Sequence, residues 1–179
     1  MSEPSSLYAR IHISESAKEK FLDSKIADPG KYEDWIGWLK NKSFSGSITL
    51  NDINSIKYPQ TVVKDFLNEW LGYSRAFGFN EYDQEENTWI ISMYEFSENY
   101  FEYIQFLHVL RSIQDFKDLN ENDFILVHSY IWGDTASDTV IQIEKGSSSI
   151  LRKIPIMYLE EAVKHFQMRE KYLSEMYKD

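Results

Sequence analysis

The sequence predicts an α+β fold, in which helices pack on a mostly antiparallel sheet and the N-terminal part is largely helical. Three observations support this fold class. Several short segments alternate apolar and polar residues with the period of a β-strand. Other segments place apolar residues at helical spacing behind N-capping residues. Polar turns join the strands in the second half of the chain, which is the pattern of hairpins.

A strand is predicted at the start of the chain, where apolar and polar residues alternate. Its apolar face comprises Leu7, Ala9, Ile11 and Ile13. A helix is then expected to start near Ser14–Ser16, because Ser16 and Glu19 fit a capping box. Asp28 and Pro29 predict the start of a second helix, as an N-cap residue followed by proline at the first helical position.

The second helix places its apolar residues on one face and leaves Trp38 off that face. The apolar face comprises Tyr32, Trp35, Ile36 and Leu39. Tyr58 and Pro59 start a stronger helix, and Gly78 is expected to end it in a left-handed cap. The apolar side of this helix comprises Val63, Phe66, Leu67, Trp70 and Phe77.

Glu81 to Asn87 is highly charged and is predicted to be a loop. Thr88 to Phe96 is rich in β-branched and aromatic residues and is predicted to be a strand. One face of this strand comprises Trp89, Ile91, Met93 and Glu95, and the other comprises Ile90, Ser92, Tyr94 and Phe96. Ser97 is expected to cap a helix from Glu98 to about Asp115, which is apolar around most of its circumference and therefore well buried.

The last third of the sequence predicts a hairpin followed by a long helix. Phe124 to Trp132 is apolar on both faces and is expected to be a central strand. Thr139 to Glu144 is its partner strand, and a third strand can follow a turn at Lys145 and continue to Ile154. Pro155 opens the final helix. Its inward residues are Leu159, Val163, Phe166, Leu173 and Tyr177.

Length and composition favour one domain spanning residues 1–179. A helical subregion at 14–78 precedes a strand-helix-strand-strand-helix region at 88–178. The chain contains no cysteine, which excludes disulfides, zinc–thiolate sites and thiol catalysis. No targeting signal and no long apolar run is visible, so a cytoplasmic location without membrane insertion is expected.

The net charge of −10 is concentrated in the middle of the sequence. Residues 59–138 contain 15 acidic and 4 basic residues, and this segment carries the whole excess. Nucleic acids and anionic membranes would be repelled by such a surface. A basic protein partner would be attracted and steered, although acidity also aids solubility by itself.

The segment from Glu81 to Tyr103 interleaves seven acidic residues with seven aromatic residues and contains no lysine or arginine. Aromatic anchors beside carboxylates are a composition suited to a protein interface. Glu95, Glu98 and Glu102 are expected to converge where a strand ends and a helix begins. The candidate partner-binding residues are Tyr82, Asp83, Glu85, Glu86, Tyr94, Glu95, Glu98 and Glu102.

No motif in the sequence predicts a catalytic, metal or cofactor site. The four histidines are not spaced as a local metal pair. One alternative remains open, namely a small enzyme with a pocket near His12, His128 and Tyr130. Another is a regulatory or adaptor subunit.

A small, acidic, cysteine-free α/β chain with an acidic and aromatic segment resembles the immunity proteins of bacterial toxin systems. The resemblance is one of type, is carried by residues 80–103, and involves no shared motif. It implies a protein without catalysis of its own, which binds one cognate, basic toxin domain and covers its active site. The acidic side chains would then stand in for the anionic substrate of the toxin.

Overall fold

The computed structural model describes residues 4–41, 49–59, 61–73, 77–131, 133 and 138–176. Within these residues six strands form one antiparallel sheet with the order β2-β3-β1-β4-β5-β6. The strands are β1 (Ser5–His12), β2 (Gly78–Asp83), β3 (Thr88–Ser97), β4 (Asp123–His128), β5 (Thr139–Glu144) and β6 (Ser147–Leu151). The α+β class and the antiparallel sheet are therefore confirmed.

Six α-helices accompany the sheet in the described part of the chain. They are α1 (Glu15–Leu22), α2 (Trp35–Asn41), α3 (Leu50–Asn54), α4 (Val63–Gly72), α5 (Tyr100–Arg111) and α6 (Ile156–Met176). Helices α1 to α4 are short, so the N-terminal part is helical in pieces rather than throughout. This part also contributes β1, which pairs with β3 and β4 in the interior of the sheet.

Both faces of the sheet are covered by apolar clusters. Leu7, Ala9 and Ile11 of β1 belong to the main core with residues of α1 to α5. Tyr8 belongs to a second apolar cluster under α6, with Phe124 and Phe166. The alternation in β1 is therefore confirmed, but its second face is also buried because α6 crosses the sheet there.

Strand β2 and the following turn occupy the segment that the sequence predicted as a loop. Glu81 and Tyr82 pair with Ile90 and Trp89 across a hairpin. The side chain of Asp83 accepts hydrogen bonds from the backbone N–H groups of Glu85 and Glu86, which stabilises the turn. The loop prediction was wrong for residues 81–83, because β2 lies at the sheet edge, where charged side chains remain solvated while the backbone pairs. It is confirmed for residues 84–87, which form the turn.

Trp38 is buried, at 5% exposure, although the sequence placed it off the apolar face. Pro29–Lys31 form only a 3-10 turn behind the Asp28 cap, and the α-helix begins later, at Trp35. This shift brings Trp35 and Trp38 together edge to face, with ring centroids 5.6 Å apart. The indole N–H of Trp38 donates to Thr139 Oγ1 at 2.9 Å, so the helix is tied to β5.

The helix predicted to start at Glu98 begins two residues later. Asn99 is its N-cap and accepts from the N–H of Phe101, while Ser97 Oγ accepts from the N–H of Asn99. Helix α5 ends at Arg111 and continues as a 3-10 turn to Asp115. Its predicted burial around most of the circumference is confirmed.

The second half of the fold follows the predicted order with different boundaries. Strand β4 ends at His128 instead of Trp132, and its antiparallel hairpin with β5 is confirmed. Helix α6 begins at Ile156 and turns Tyr158, Ala162 and Phe166 inward. Leu159 and Val163 are half-buried, whereas the side chain of Leu173 and the whole of Tyr177 lie outside the described part of the chain.

Within the described residues, no helix is long and apolar enough to cross a membrane.

Helix α4 begins at Val63 and ends at Gly72, so Gly78 is not its cap. Gly78 instead opens β2, next to Phe77, which has the positive φ of 43°. A Cβ added at Gly78 would lie 2.9 Å from Leu71 Cδ2 and 3.0 Å from the Leu71 carbonyl oxygen. The strand therefore passes the end of α4 at a distance that only glycine permits.

Gly78→Ala is expected to lower the free energy of unfolding by about 1–3 kcal/mol, because the new methyl group collides with the Leu71 backbone. Gly72→Ala is the matched control, since a Cβ there meets nothing within 4 Å. It should raise stability by up to about 1 kcal/mol through helix propensity. Urea unfolding of both variants measures the difference, and equal effects would contradict the close approach of β2 to α4.

Candidate protein-binding groove

Four of the predicted binding residues lie in the β2–β3 hairpin. Tyr82 is fixed there: its hydroxyl donates to the carbonyl of Ile13 at 3.0 Å, and Lys18 lies 4.3 Å from its ring. Asp83 is occupied by the turn hydrogen bonds described above. Glu85 and Glu86 are exposed at the tip. The hairpin tip therefore exposes the carboxylates of Glu85 and Glu86, whereas Tyr82 is held by contacts within the protein.

The remaining four residues lie near the opposite end of β3. Thr88 lies beside the hairpin turn, and Ser97, at the other end of the strand, is nine positions further along the chain. At the rise of an extended strand this corresponds to about 30 Å. The eight predicted residues therefore do not form one surface, and the hairpin acids are separate from the carboxylates at the β3–α5 corner.

Tyr94 lies apart from Glu98 and Glu102, on the face of the sheet that α6 covers. Its side chain is buried under α6, and its hydroxyl donates to the carbonyl of Phe166 at 2.6 Å. Burial raises the pKa of this phenol, with a contribution from Glu170. Tyr94 consequently anchors α6 to the sheet, and the structure removes it from the predicted corner.

A bulge in β3 explains how the corner is arranged. Leu7 pairs with Met93, but Ser5 pairs with Ser97, so β3 has two residues more than β1 over this interval. The strict alternation expected from the sequence fails here, and Phe96 enters the main core instead of the face shared with Tyr94. Glu95 is left half-buried at the edge of the bulge.

A groove of about 790 Å³ opens beside the bulge, between α4 and the segment that joins β3 to α5. We call it the acidic groove. Its aromatic lining comprises Phe66, Trp70, Tyr73 and Phe96. Its acidic lining comprises Glu69, Glu95, Glu98 and Glu102. The predicted convergence of Glu95, Glu98 and Glu102 is therefore present, with α4 as the second wall.

The aromatic floor of the groove is packed into the core. The ring of Trp70 lies 5.4 Å from that of Phe96 and 5.2 Å from that of Phe106. Phe66 lies 6.1 Å from Trp70 and is itself almost fully buried. Tyr73 stands at the rim with 60% of its surface exposed. The floor is thus held by contacts that do not depend on a partner, which makes it preorganised for binding.

The acidic wall is held by the start of α5. Glu102 lies in the first turn of that helix, where a negative charge is favourable, and it accepts a hydrogen bond from Ser97 Oγ. Glu98 precedes the N-cap and is therefore not part of the helix, in contrast to the predicted helix start at Glu98. Among the described residues that line the groove, none is a lysine or an arginine.

Glu95 also borders a smaller cavity of about 250 Å³ on the side of α6. This cavity is lined by Phe77, Tyr94, Glu95, Ile131 and Glu170. Phe77 and Ile131 are 47% and 43% exposed, so two apolar side chains stand beside the carboxylates of this cavity. Glu95 is therefore shared by the lining of both cavities.

The structure separates the residues of the alternative enzyme pocket. His128 pairs with Ser6, whereas His12 lies six residues further along β1, or about 20 Å away. His12 Nδ1 bonds to Asp123 at 2.6 Å, and His128 Nδ1 bonds to Asp138 at 3.0 Å. Each histidine is thus bonded to a different aspartate, and the two histidines do not line one pocket. Within the described residues, no three side chains of the types His, Asp and Glu are grouped to hold a metal ion.

Sequence reasoning missed the wall contributed by α4. Phe66, Glu69, Trp70 and Tyr73 lie on one side of this helix because they are spaced by three or four residues. The sequence shows that spacing for Phe66 and Trp70, which it places on the apolar side of the predicted helix. The neighbouring Glu69 and Tyr73 are the signal that could have marked this side of the helix as part of a surface.

Comparison with known proteins gives no relative: no protein-family model matches the chain, and neither a curated protein nor a solved structure does. A function for this chain therefore has to be inferred from its own side chains and their arrangement.

Proposed function

We propose that the protein is a non-catalytic binding module of the immunity-protein type, which holds a basic toxin domain through the acidic groove. The observation that carries this proposal is the groove itself, which combines a packed aromatic floor with a glutamate wall. Protein interfaces obtain much of their affinity from a few aromatic anchors that are surrounded by contacts excluding water. The groove offers such anchors on the side of this protein.

The shape of the groove favours a macromolecular partner. It is open rather than enclosed, and one wall belongs to α4 while the other belongs to the β3–α5 segment. Trp70 and Tyr73 supply large contact areas at low entropic cost because their side chains have few rotatable bonds. A protruding loop of a partner can lie along this floor while its flanks contact the exposed rim.

The charge of the surrounding chain supports a basic partner. The segment 59–138, which supplies most of the groove, holds nearly four times as many acidic as basic residues. A field of this sign accelerates encounter with a positively charged surface. It also disfavours nucleic acid, whose phosphates would approach the same carboxylates. In the proposed complex the glutamates occupy the place of the toxin's anionic substrate.

The double substitution Glu95→Lys and Glu102→Lys is expected to weaken binding to the basic product of the neighbouring gene by at least about 30-fold, or roughly 2 kcal/mol. Both side chains lie on the acidic wall, and their reversal places positive charge against a basic partner. Isothermal titration calorimetry measures the affinity, and an assay of the partner's activity measures inhibition.

The matched control is the pair Glu85→Lys and Glu86→Lys at the exposed hairpin tip, which changes the net charge equally. It should reduce the rate of association slightly and leave the dissociation rate unchanged, because it acts only at long range. Thermal unfolding of each variant checks that Glu102→Lys has not disrupted the start of α5. Absence of any complex with wild-type protein, or equal losses in both pairs, would overturn the proposed use of the groove.

A further inference from the structure

Three arginines of this protein show how its own side chains accommodate a guanidinium group. Arg111 lies 4.1 Å from the ring of Tyr32 and bonds to a carboxylate. Arg10 lies 5.2 Å from the ring of Phe124 with its Nε 3.3 Å from Glu161. Arg169 lies 5.0 Å from the ring of Phe79 and pairs with Glu81. Each guanidinium therefore has an aromatic ring and a carboxylate together as its neighbours.

The acidic groove presents the same two components at its surface. The half-buried Trp70 supplies the ring, with the buried Phe96 behind it at a centroid distance of 5.4 Å, and Glu95 and Glu102 stand on the adjacent wall. The described residues that line the groove include no cation that could occupy this position. A guanidinium group of a partner, placed in the groove, would therefore contact an aromatic ring and a carboxylate, as the three internal arginines do.

The chemistry of the groove distinguishes arginine from lysine. A guanidinium is planar, so it stacks on an aromatic ring while its N–H groups, which lie in the same plane, reach a carboxylate. It is also less strongly hydrated than an ammonium group, so less hydration is lost on entering a half-buried site. Tryptophan is the aromatic side chain that attracts a cation most strongly.

We propose that the partner inserts an arginine side chain into the acidic groove, where its guanidinium stacks on Trp70 and pairs with Glu95 and Glu102. This inference rests on the proposed function, because it names the anchor by which the basic partner is held. The partner therefore requires an exposed arginine on a protruding loop, and lysine at the same position supports binding poorly.

The experiment uses three peptides that differ at one residue: acetyl-Gly-Arg-Gly-amide and the same peptides with lysine or citrulline in place of arginine. Binding to the whole protein is followed by NMR through the indole N–H signals of its tryptophans. The arginine peptide is expected to shift the Trp70 signal saturably and to bind at least about fivefold more tightly than the lysine peptide. Citrulline keeps the shape without the charge and should give no saturable shift.

Variants of the groove provide the controls. Glu95→Gln should weaken binding of the arginine peptide severalfold, and Glu85→Gln at the hairpin should not. Trp70→Phe keeps an aromatic ring in the packed floor and should weaken binding less than Trp70→Leu, which keeps an apolar side chain without a ring. Because both variants lack the Trp70 indole, their binding is followed through the backbone amide signals of the protein. Unfolding curves establish that each variant is folded before its affinity is compared.

Two outcomes would overturn this inference without affecting the proposed function. One is equal binding of the arginine and lysine peptides. The other is unchanged affinity of the full basic partner when each of its exposed arginines is replaced by lysine. Failure of the full partner to bind at all would instead overturn the proposed function, so the two failures are distinguishable.

Discussion

Replacing Asp34 by alanine is expected to lower the free energy of unfolding by about 3–5 kcal/mol, because it leaves a guanidinium buried without its counter-charge. That guanidinium belongs to Arg111, which is 1% exposed. Its Nη1 and Nη2 donate to the two carboxylate oxygens of Asp34 at 2.7 and 2.8 Å, which is a bidentate pair.

The Arg111 pair joins parts of the fold that are far apart in the sequence. Arg111 Nε donates to Ser148 Oγ at 2.6 Å, and its Nη2 donates to the Ser148 carbonyl at 2.9 Å. Asp34 also accepts from the N–H of Ile150 at 3.1 Å. Helix α5, the segment before α2 and strand β6 therefore meet at one ion pair, and its loss affects all three.

Replacing the other partner of the pair, as in Arg111→Met, should lower the free energy of unfolding by less than Asp34→Ala does. Methionine retains apolar packing against Tyr32 and Trp35, and the Asp34 side chain it leaves behind is 36% exposed and can be hydrated. Glu33→Ala is the control, since Glu33 is an exposed neighbouring acid and should change stability by less than about 0.5 kcal/mol. Urea unfolding measures all three variants. A larger loss for Arg111→Met than for Asp34→Ala would contradict this account.

Mild acid should destabilise the protein through two buried histidines, by about 2 kcal/mol each between pH 7.5 and pH 5. His108 in α5 is fully buried, and His165 in α6 packs against Ser92. Burial lowers the pKa of each imidazole to about 4, and for His108 the positive charge of Arg111 lowers the pKa further while the Ala27 carbonyl opposes this. Both histidines are therefore neutral in the folded protein at pH 7.

Acid destabilises the protein because the unfolded state takes up protons that the folded state does not bind. In the unfolded chain each histidine takes up a proton near pH 6.5, whereas in the folded protein it does so only near pH 4. The unfolded state binds more protons between these values, so stability is complete above pH 6.5 and is lost as the pH falls toward 4. Below pH 4 no further loss arises from these groups.

His165→Gln is expected to remove about 2 kcal/mol of the difference in stability between pH 7.5 and pH 5. Glutamine can still bond to Ser92, which limits the cost at neutral pH. Lys164→Gln, one residue away and exposed, is the control and should leave the pH dependence unchanged. Urea unfolding at several pH values measures both variants. A His165→Gln protein that keeps the whole acid-induced loss would show that this histidine does not remain neutral in the fold.

The elements that the sequence predicted well are those with a strong local pattern. Alternation located β1, enrichment in β-branched and aromatic residues located β3, and Ser14 and Pro155 lie next to helix starts as expected. Boundaries were shifted where several residues could cap the same helix, as at Ser97 and Asn99. Both residues participate in the observed cap, so the sequence alone could not decide which one precedes the first helical turn.

The sequence by itself determined the α+β class, the acidic excess of the middle segment and the convergence of Glu95, Glu98 and Glu102, because these depend on composition and on contacts close along the chain. Only the tertiary structure decided that α4 forms the opposite wall and that the hairpin acids lie about 30 Å away. It also decided the bulge that turns Phe96 into the core and the burial of Tyr94. These features depend on packing between residues distant in sequence, which no local periodicity encodes.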